Sequence, residues 1–480
     1  VVIMAGGQGE RLWPLSNPRR PKQFQALLAG RTPFQQTFER ALALTGEAGR
    51  VWTVTRTAYV NIVRNEVAGF EPGNVIAEPC QRNTAPCIAL AAALIGRRRP
   101  EADVLAVMPA DHHVAGIAAF TAAMQEAVSE ARRTGAIICL GVTPTRPHTG
   151  YGYIEAGEPA DFNSRAIRPV RRFTEKPDAA LARQFVESGR HFWNAGIFVW
   201  PLAAVRAEFA RHEPAIASFM EDVLAAPDDP WPLICERFPA LPDISVDYAV
   251  MERTDNIRLI PLSCGWSDLG GFSALAEVIG RDASGNALSA AAGAGVVIDG
   301  VKDTFLHVGS PEKRVALCGL AGAIVVDTPE ALLVCGKGFE DRIKELGRRA
   351  EALRGTAEPA WDQRPWGAWE TLARGPGVQV KRITVRPGHR LSLQAHQHRS
   401  EHWVVVAGSP RVEVGGRSLA PRVGEHVLIP VGASHRLANP NDDEVVIIEV
   451  QLGSILAEDD IVRLEDDYGR AGTDKCPPQT

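Results

Sequence analysis

Residues 391–406, LSLQAHQHRSEHWVVV, crowd three histidines, Gln394 and Glu401 in front of an apolar run. Imidazole nitrogens, a carboxylate and an amide oxygen suit Zn²⁺ or another divalent metal, with coordination positions left open for a substrate. Successive side chains of a strand point to opposite faces, so Gln394 and His396 should share one face while Ala395 and Gln397 take the other. His398 has the parity of His396 but falls where the chain must turn toward Glu401. That puts it beside the ligands rather than among them. His389 reads as a surface histidine.

A second chemistry is written at the other end. After the apolar run 1–4 comes Ala5-Gly6-Gly7-Gln8-Gly9-Glu10-Arg11. Glycines let the backbone approach a ligand closely, and their amide groups can receive phosphate oxygens. A dinucleotide fingerprint would need glycine where Leu12 stands, and a P-loop would need Gly-Lys-Ser/Thr, so neither applies. Arg11 and Lys22 add cations of the kind that hold a triphosphate. Asp111, in PADHH, follows the apolar run 104–108. Its carboxylate should therefore sit at the carboxyl edge of a sheet, where Mg²⁺ is useful.

These groups need elements to position them. In the first half, apolar runs at 1–4, 51–55, 104–108 and 137–140 alternate with helical stretches such as 83–97. That rhythm predicts an α/β domain over 1–282 with a mostly parallel, Rossmann-like sheet. Short β-type runs divided by Gly, Pro and Asp fill a small segment, 283–338. Ile343, Leu346, Ala350 and Leu353 then stand at helical spacing amid charges, which predicts a linker helix within 339–360. Alternating β runs and glycine turns over 361–470 predict an all-β barrel. Residues 471–480 read as a tail.

Composition excludes several classes. At 480 residues the chain exceeds one ordinary core, and 45% apolar with 23% charged residues is the balance of a globular protein. A net charge of −5 speaks against a nucleic-acid partner. The absence of a long uncharged apolar run or signal pattern predicts a soluble protein with no membrane association. Eight cysteines without a C-x-x-C pair suggest neither a disulfide framework nor a cysteine zinc site, which fits a reducing cytoplasm. Residue 1 is Val, already inside a strand-like run, so initiating residues are expected ahead of this numbering.

The order of GGQGERLWPLS, PKQF, EPCQRNTAP, MPADH, TGYGYIE, FTEKP, WNAGIF, SVDYAVME and WSDLGG resembles that of the sugar-nucleotide pyrophosphorylases, above all the mannose-1-phosphate guanylyltransferases. The resemblance implies that Gly6, Gly7, Gly9 and Arg11 cradle the phosphates of GTP, with Lys22 neutralising them. Glu78, Arg82, Asn83 and Thr84 would lie along the nucleotide. Asp111 and Asp268 would hold Mg²⁺, and Gly152, Glu175, Lys176 and Asn194 would face mannose 1-phosphate. Arg11, Lys22, Asp111, Lys176 and Asp268 would thus carry the reaction. Where the family often has arginine after PLS, this chain has Asn17, with arginines at 19 and 20. The resemblance also implies that 283–338 is a short left-handed β-helix.

Gly388-x5-Gln394-x-His396-x4-Glu401-x6-Gly408 and Gly424-x5-Pro430-x-Gly432-x2-His435-x3-Asn439 are the two spaced motifs of the cupin barrel, with Gln394 in place of the first histidine. Gln394, His396, Glu401 and His435 would then share one metal. A cupin of this pattern resembles phosphomannose isomerase of the type fused to guanylyltransferases. Arg399 and Arg470, the latter in DDYGR, are candidates for phosphate binding or enediolate stabilisation. The implied substrates are GTP, mannose 1-phosphate, and mannose 6-phosphate with fructose 6-phosphate; a homo-oligomer is left open. The rival reading keeps the guanylyltransferase and treats the cupin as a non-catalytic module for binding or oligomerisation.

Overall fold

A computed structural model describes residues 1–28, 30–67, 69–158, 167–353, 361–457 and 460–467. They divide between two compact units, one formed by Val1–Arg349 and the other beginning at Ala350.

The first unit is built on a nine-stranded sheet. In spatial order its strands are Val75–Glu78, Trp52–Arg56, Val2–Met4, Val104–Pro109, His191–Pro201, Ile137–Val142, Ile257–Leu262, Arg168–Thr174 and Tyr153–Ala156. The first four are mutually parallel, as the βα rhythm predicts. Beyond them the sheet is more mixed than expected, with Ile257–Leu262 and Ile137–Val142 as the one further parallel pair. His191–Pro201 runs antiparallel between its two neighbours. An apolar run looks the same whichever way the strand is laid, so hydrophobic rhythm alone could not give this direction.

Each face of the sheet buries its own core. Helix Thr84–Arg98, buried from Ala85 to Ile95, packs with Trp200, Phe209 and Phe219 on one side, and Phe34, Phe38, Phe120 and Met124 cover the other. Register then sets the chemistry. Met4 pairs with Pro109, so the glycine turn and Asp111 leave the sheet at the same edge. Trp266–Ser267 pairs antiparallel with His113–Val114, which brings Asp268 alongside the Asp111–His112 segment.

After helix Phe272–Ile279, the strands Ala287–Ala290, Phe305–Val308 and Ala323–Asp327 stack in parallel, as do Gly295–Asp299 and Arg314–Cys318. Parallel strands stacked in this way are what the β-helix expected here requires. The helix expected as a linker runs from Ile343 to Leu353 and lies in the first unit as far as Arg349. Ile343 is wholly buried beside Leu12 and Leu15. A Cβ on Gly347 would come within 2.7 Å of Trp13 Cγ, so glycine is what allows this close contact with the N-terminal loop.

The second unit is two facing antiparallel sheets. One carries Trp361–Arg364, Gly367–Gly375, Val378–Val385, Val445–Gly453, Arg399–Ala407 and His426–Ile429; the other carries Arg417–Leu419, Arg411–Val414, His435–Ala438, Leu393–His396 and Ile461–Glu465. Trp366, Trp369, Trp403, Leu437 and Ile447 fill the space between them. Among the described residues no helix is long and apolar enough to cross a membrane.

Candidate functional site

In the first unit a cleft of about 460 Å³ opens over the glycine turn, lined by Gln8, Gly9, Arg11, Lys22, Asp111 and Asp268 among others. Gly9 has φ 62°, and a Cβ there would lie 2.5 Å from Lys22 Cβ, so only glycine fits. Lys22 is 6% exposed. Its Nζ lies 2.6 Å from Asp111 Oδ2 and donates to the Asp268 carbonyl at 2.7 Å. Burial pushes the Asp111 carboxyl up, but Lys22 and His112 outweigh it and hold Asp111 below the usual carboxylate range. Asp268 accepts from the Tyr151 hydroxyl at 2.7 Å and from the Gly270 amide at 3.0 Å. Two hard carboxylates flanking a phosphate-sized cleft fit Mg²⁺, which usually takes one or two protein carboxylates and completes its shell from substrate and water.

Along the same edge, Gly6 brings its Cα against Glu78, whose Oε2 an added Cβ would meet at 3.0 Å. Burial pushes the Glu78 carboxyl up to about 7. Asn83, at φ 63°, caps helix Thr84–Arg98 by accepting from the Thr84 amide. The Thr84 hydroxyl accepts from the Val246 amide at 2.8 Å. Arg82 is turned to the Pro239 carbonyl, and Gln81 lines the cleft beside it. Arg20 donates to the Phe24 carbonyl, and neither Arg19 nor Arg20 lines the cleft.

Gly152, next to Tyr151, begins the second half of this site. Its carbonyl accepts from the Asn194 amide at 2.8 Å, and a Cβ there would strike Glu175 Oε2. Glu175 pairs with Lys176 at 2.5 Å. Burial lowers the Lys176 ammonium, but its bond to Glu175 outweighs that and raises it. Asn194 donates to Asp247 Oδ1 at 2.9 Å. Asp247 starts the π-helical turn Asp247–Met251, and burial with the nearby Glu175 charge lifts its carboxyl to about 6.

In the second unit the ligand atoms of His396, Glu401 and His435 all lie within 4.8 Å of one another, and the three residues are at most 2% exposed. His396 Nε2 stands 2.9 Å from Glu401 Oε1, and His435 Nε2 stands 3.4 Å from Glu401 Oε2. His435 Nδ1 faces the Ala433 carbonyl at 3.0 Å, and His396 Nδ1 faces the Asp460 carbonyl at 3.4 Å. A ring N–H donating outward leaves the Nε2 lone pair for an ion, as metal-binding histidines usually arrange. Burial pushes the Glu401 carboxyl up, yet the two imidazoles win and hold it well below the carboxylate range. The donor set fits a Zn²⁺-like ion.

Gln394 pairs across the sheet with His435. Its Oε1 meets the Ser392 hydroxyl at 3.0 Å while Nε2 faces His435 Nε2 at 3.5 Å, so a half-turn of the amide is needed to present oxygen to the ion. Arg399 is 3% exposed, with Nε 3.2 Å from Glu401 Oε1 and Nη1 on the Leu456 and Ala457 carbonyls. His398 is held by Asp460 at 2.8 Å, outside the trio. Arg470 lies outside the described residues, as does the tail 471–480.

The family model for nucleotidyl transferases matches residues 1–285, and that for the C-terminal part of mannose-6-phosphate isomerase matches 357–466. The chain belongs to the nucleotidyl transferase family and carries a mannose-6-phosphate isomerase C-terminal domain. It is 39% identical over 477 residues to the xanthan biosynthesis protein XanB of Xanthomonas campestris, covering 98% of each chain. It is 38% identical over 477 residues to the mannose-1-phosphate guanylyltransferase of Escherichia coli, again over 98% of each. A solved protein of Thermus thermophilus, named as a mannose-1-phosphate geranyltransferase, is 31% identical with a TM-score of 0.65. The match covers 73% of this chain and 98% of that one.

For this nucleotidyl transferase, sequence reasoning left several residues of the two sites unassigned. Gln23, in the quoted PKQF, donates to the Ala5 and Gly7 carbonyls at 2.9 and 2.8 Å and so fixes the glycine turn. Asp247 stood inside SVDYAVME without a role. Trp403, read only as part of an apolar run, donates from its indole to both Glu401 and Glu449. Gln451 bonds the same two carboxylates at 3.2 and 2.9 Å. Burial and the Glu401 charge push the Glu449 carboxyl up to about 8. Its place in an alternating strand, Val445–Gly453, was the available signal.

Proposed function

We propose that the first unit transfers GMP from GTP to mannose 1-phosphate, giving GDP-mannose and pyrophosphate, and that the second interconverts mannose 6-phosphate and fructose 6-phosphate. The observation that carries the second half is the convergence of two imidazoles on both oxygens of one buried carboxylate. Burying such groups costs several kcal/mol unless something uses them, which favours catalysis over a merely structural cupin. The names of the relatives supply the substrates.

Mannose 1-phosphate already carries an anionic oxygen, so attack on the α-phosphorus requires no general base. What this chain must supply is position and neutralisation. The glycine turn, held by Gln23, offers backbone amides to phosphate oxygens; Arg11 and Lys22 neutralise them. Gly152 leaves room for the Glu175 carboxylate to pack against the chain, and Glu175, Lys176 and Asn194 are offered to the sugar phosphate. In the second unit Arg399 is placed to balance negative charge as a proton moves between C2 and C1 through a cis-enediol. Mg²⁺ at Asp111 and Asp268, and Zn²⁺ or a similar ion at His396, Glu401, His435 and Gln394, would supply Lewis-acid charge stabilisation. A phosphomannomutase must act between the two reactions.

Purified chain supplied with GTP and mannose 1-phosphate should release pyrophosphate, and with fructose 6-phosphate should form mannose 6-phosphate. Loss of only the second conversion in metal-replete protein would leave the non-catalytic cupin as the better reading.

A further inference from the structure

The cleft over the glycine turn has a wall that the nucleotidyl transferase match, ending at 285, does not reach: Lys344 and Arg348 line it together with Gln8, Gly9, Arg11 and Lys22. Four residues apart on helix Ile343–Leu353, they share one face. Both are tied to Glu10, in the turn itself. Lys344 Nζ lies 2.8 Å from Glu10 Oε2, and the Arg348 fork meets the two Glu10 oxygens at 2.9 and 3.1 Å. One carboxylate therefore sits under two cations, leaving a surplus positive charge facing the cleft.

The helix does not depend on Glu10 for its place. Ile343 is buried in the core, Gly347 admits Trp13, and Glu340, just before the helix, accepts from the Ser273 amide at 3.0 Å. Lys344 and Arg348 keep 46% and 62% of their side-chain exposure, so their heads can turn without unpacking the helix. A guanidinium that grips a carboxylate through two N–H groups grips a phosphate in the same way.

We infer that Lys344 and Arg348 are the binding site for the pyrophosphate portion of the triphosphate, and that Glu10 occupies this site in the absence of that anion. This rests on the guanylyltransferase reading. In the transfer, an oxygen of the sugar phosphate forms a bond to the α-phosphorus while the bond from that phosphorus to the oxygen bridging to the β-phosphorus breaks. The electron pair stays on the bridging oxygen. The leaving pyrophosphate thus gains negative charge where Lys344 and Arg348 stand, and Glu10 displaces it as it departs.

The test uses the full chain in both directions, reading KM for pyrophosphate in the pyrophosphate-consuming direction and KM for GTP and mannose 1-phosphate in the forward one. The double variant Lys344→Ala/Arg348→Ala should raise KM for pyrophosphate and for GTP by roughly tenfold or more. KM for mannose 1-phosphate and the isomerase rate should stay within about twofold. Arg348→Lys should recover part of the loss. Glu10→Gln should act in the opposite direction and lower KM for pyrophosphate, because the competing carboxylate charge is gone. An unchanged pyrophosphate KM in the double variant, or a rise with Glu10→Gln, would overturn the inference. Calorimetric titration with inorganic pyrophosphate needs no turnover. Wild type that binds it and loses binding with the double variant upholds the site even if GMP transfer were absent, in which case the guanylyltransferase reading alone would fall.

Discussion

Lys22 and Asp111 form a 2.6 Å ion pair inside the cleft, and the same ammonium donates to the Asp268 carbonyl, so one side chain joins the two segments that carry the candidate Mg²⁺ ligands. Lys22→Met leaves Asp111 without that partner and removes a cation from the phosphates. GMP transfer should fall by roughly 10²- to 10³-fold, the usual cost of losing one pre-placed charge stabiliser. The isomerase rate of the same preparation should be unaffected.

Asp111→Ala and His396→Ala should separate the two activities. The first should abolish pyrophosphate release and spare isomerisation; the second should do the reverse. Parallel rate measurements on each variant, with circular dichroism to confirm folding, check this. A joint loss of both activities in folded protein would contradict the two-site arrangement.

Gly9→Ala meets both a left-handed backbone and the Lys22 backbone amide nitrogen at 2.8 Å. It should destabilise the protein by about 1–3 kcal/mol and lower the melting temperature. Gly7→Ala is the control, since an added Cβ there meets nothing within 4 Å. Thermal unfolding of the pair should show a drop for the first and little change for the second.

Glu78 sets a pH dependence. Its folded value of about 7 lies above the ordinary 4.5, so its contribution to stability is full below about 4.5 and is lost as pH rises through about 7. Between pH 5 and pH 8 the wild type should lose stability relative to Glu78→Gln, by about 3 kcal/mol at most. Denaturant unfolding of both proteins at the two pH values measures the difference.

Chelation should abolish both activities, and the ions should return them separately. Mg²⁺ alone should restore GMP transfer, whereas isomerisation should need Zn²⁺ or a similar ion that accepts imidazole. An ion held at 100 times its Kd adds about 2.7 kcal/mol to the unit that binds it, so the loss should also appear as a lower melting transition that His396→Ala no longer shows.

The sequence made the chemistry more legible than the architecture that completes it. The glycine turn with Lys22 and Asp111 lines the cleft of the first unit, and His396, Glu401 and His435 meet in the second; what the sequence alone could read of this were local signals, the turn glycines and the alternation that puts 394 and 396 on one face. The direction of His191–Pro201 was not legible, because hydrophobic period carries no polarity. Asn194 meets Asp247 across 53 positions of chain, and Trp403 uses a polar edge that an apolar run conceals. Lys344 and Arg348 stood unassigned among the charges of the linker helix, because only the burial of Ile343 and the bare Cα of Gly347 turn that helix toward the loop at Trp13.

The contact of Gly347 with Trp13 bears on where this chain can be divided. A fragment ending at 338 would retain every position of the nucleotidyl transferase match and still leave an indole and the buried Leu12 uncovered beside the glycine turn. The shortest self-sufficient transferase fragment should therefore extend past the strand Leu332–Gly336 to Arg349, where the first unit ends, so that Ile343 and Gly347 keep their contacts.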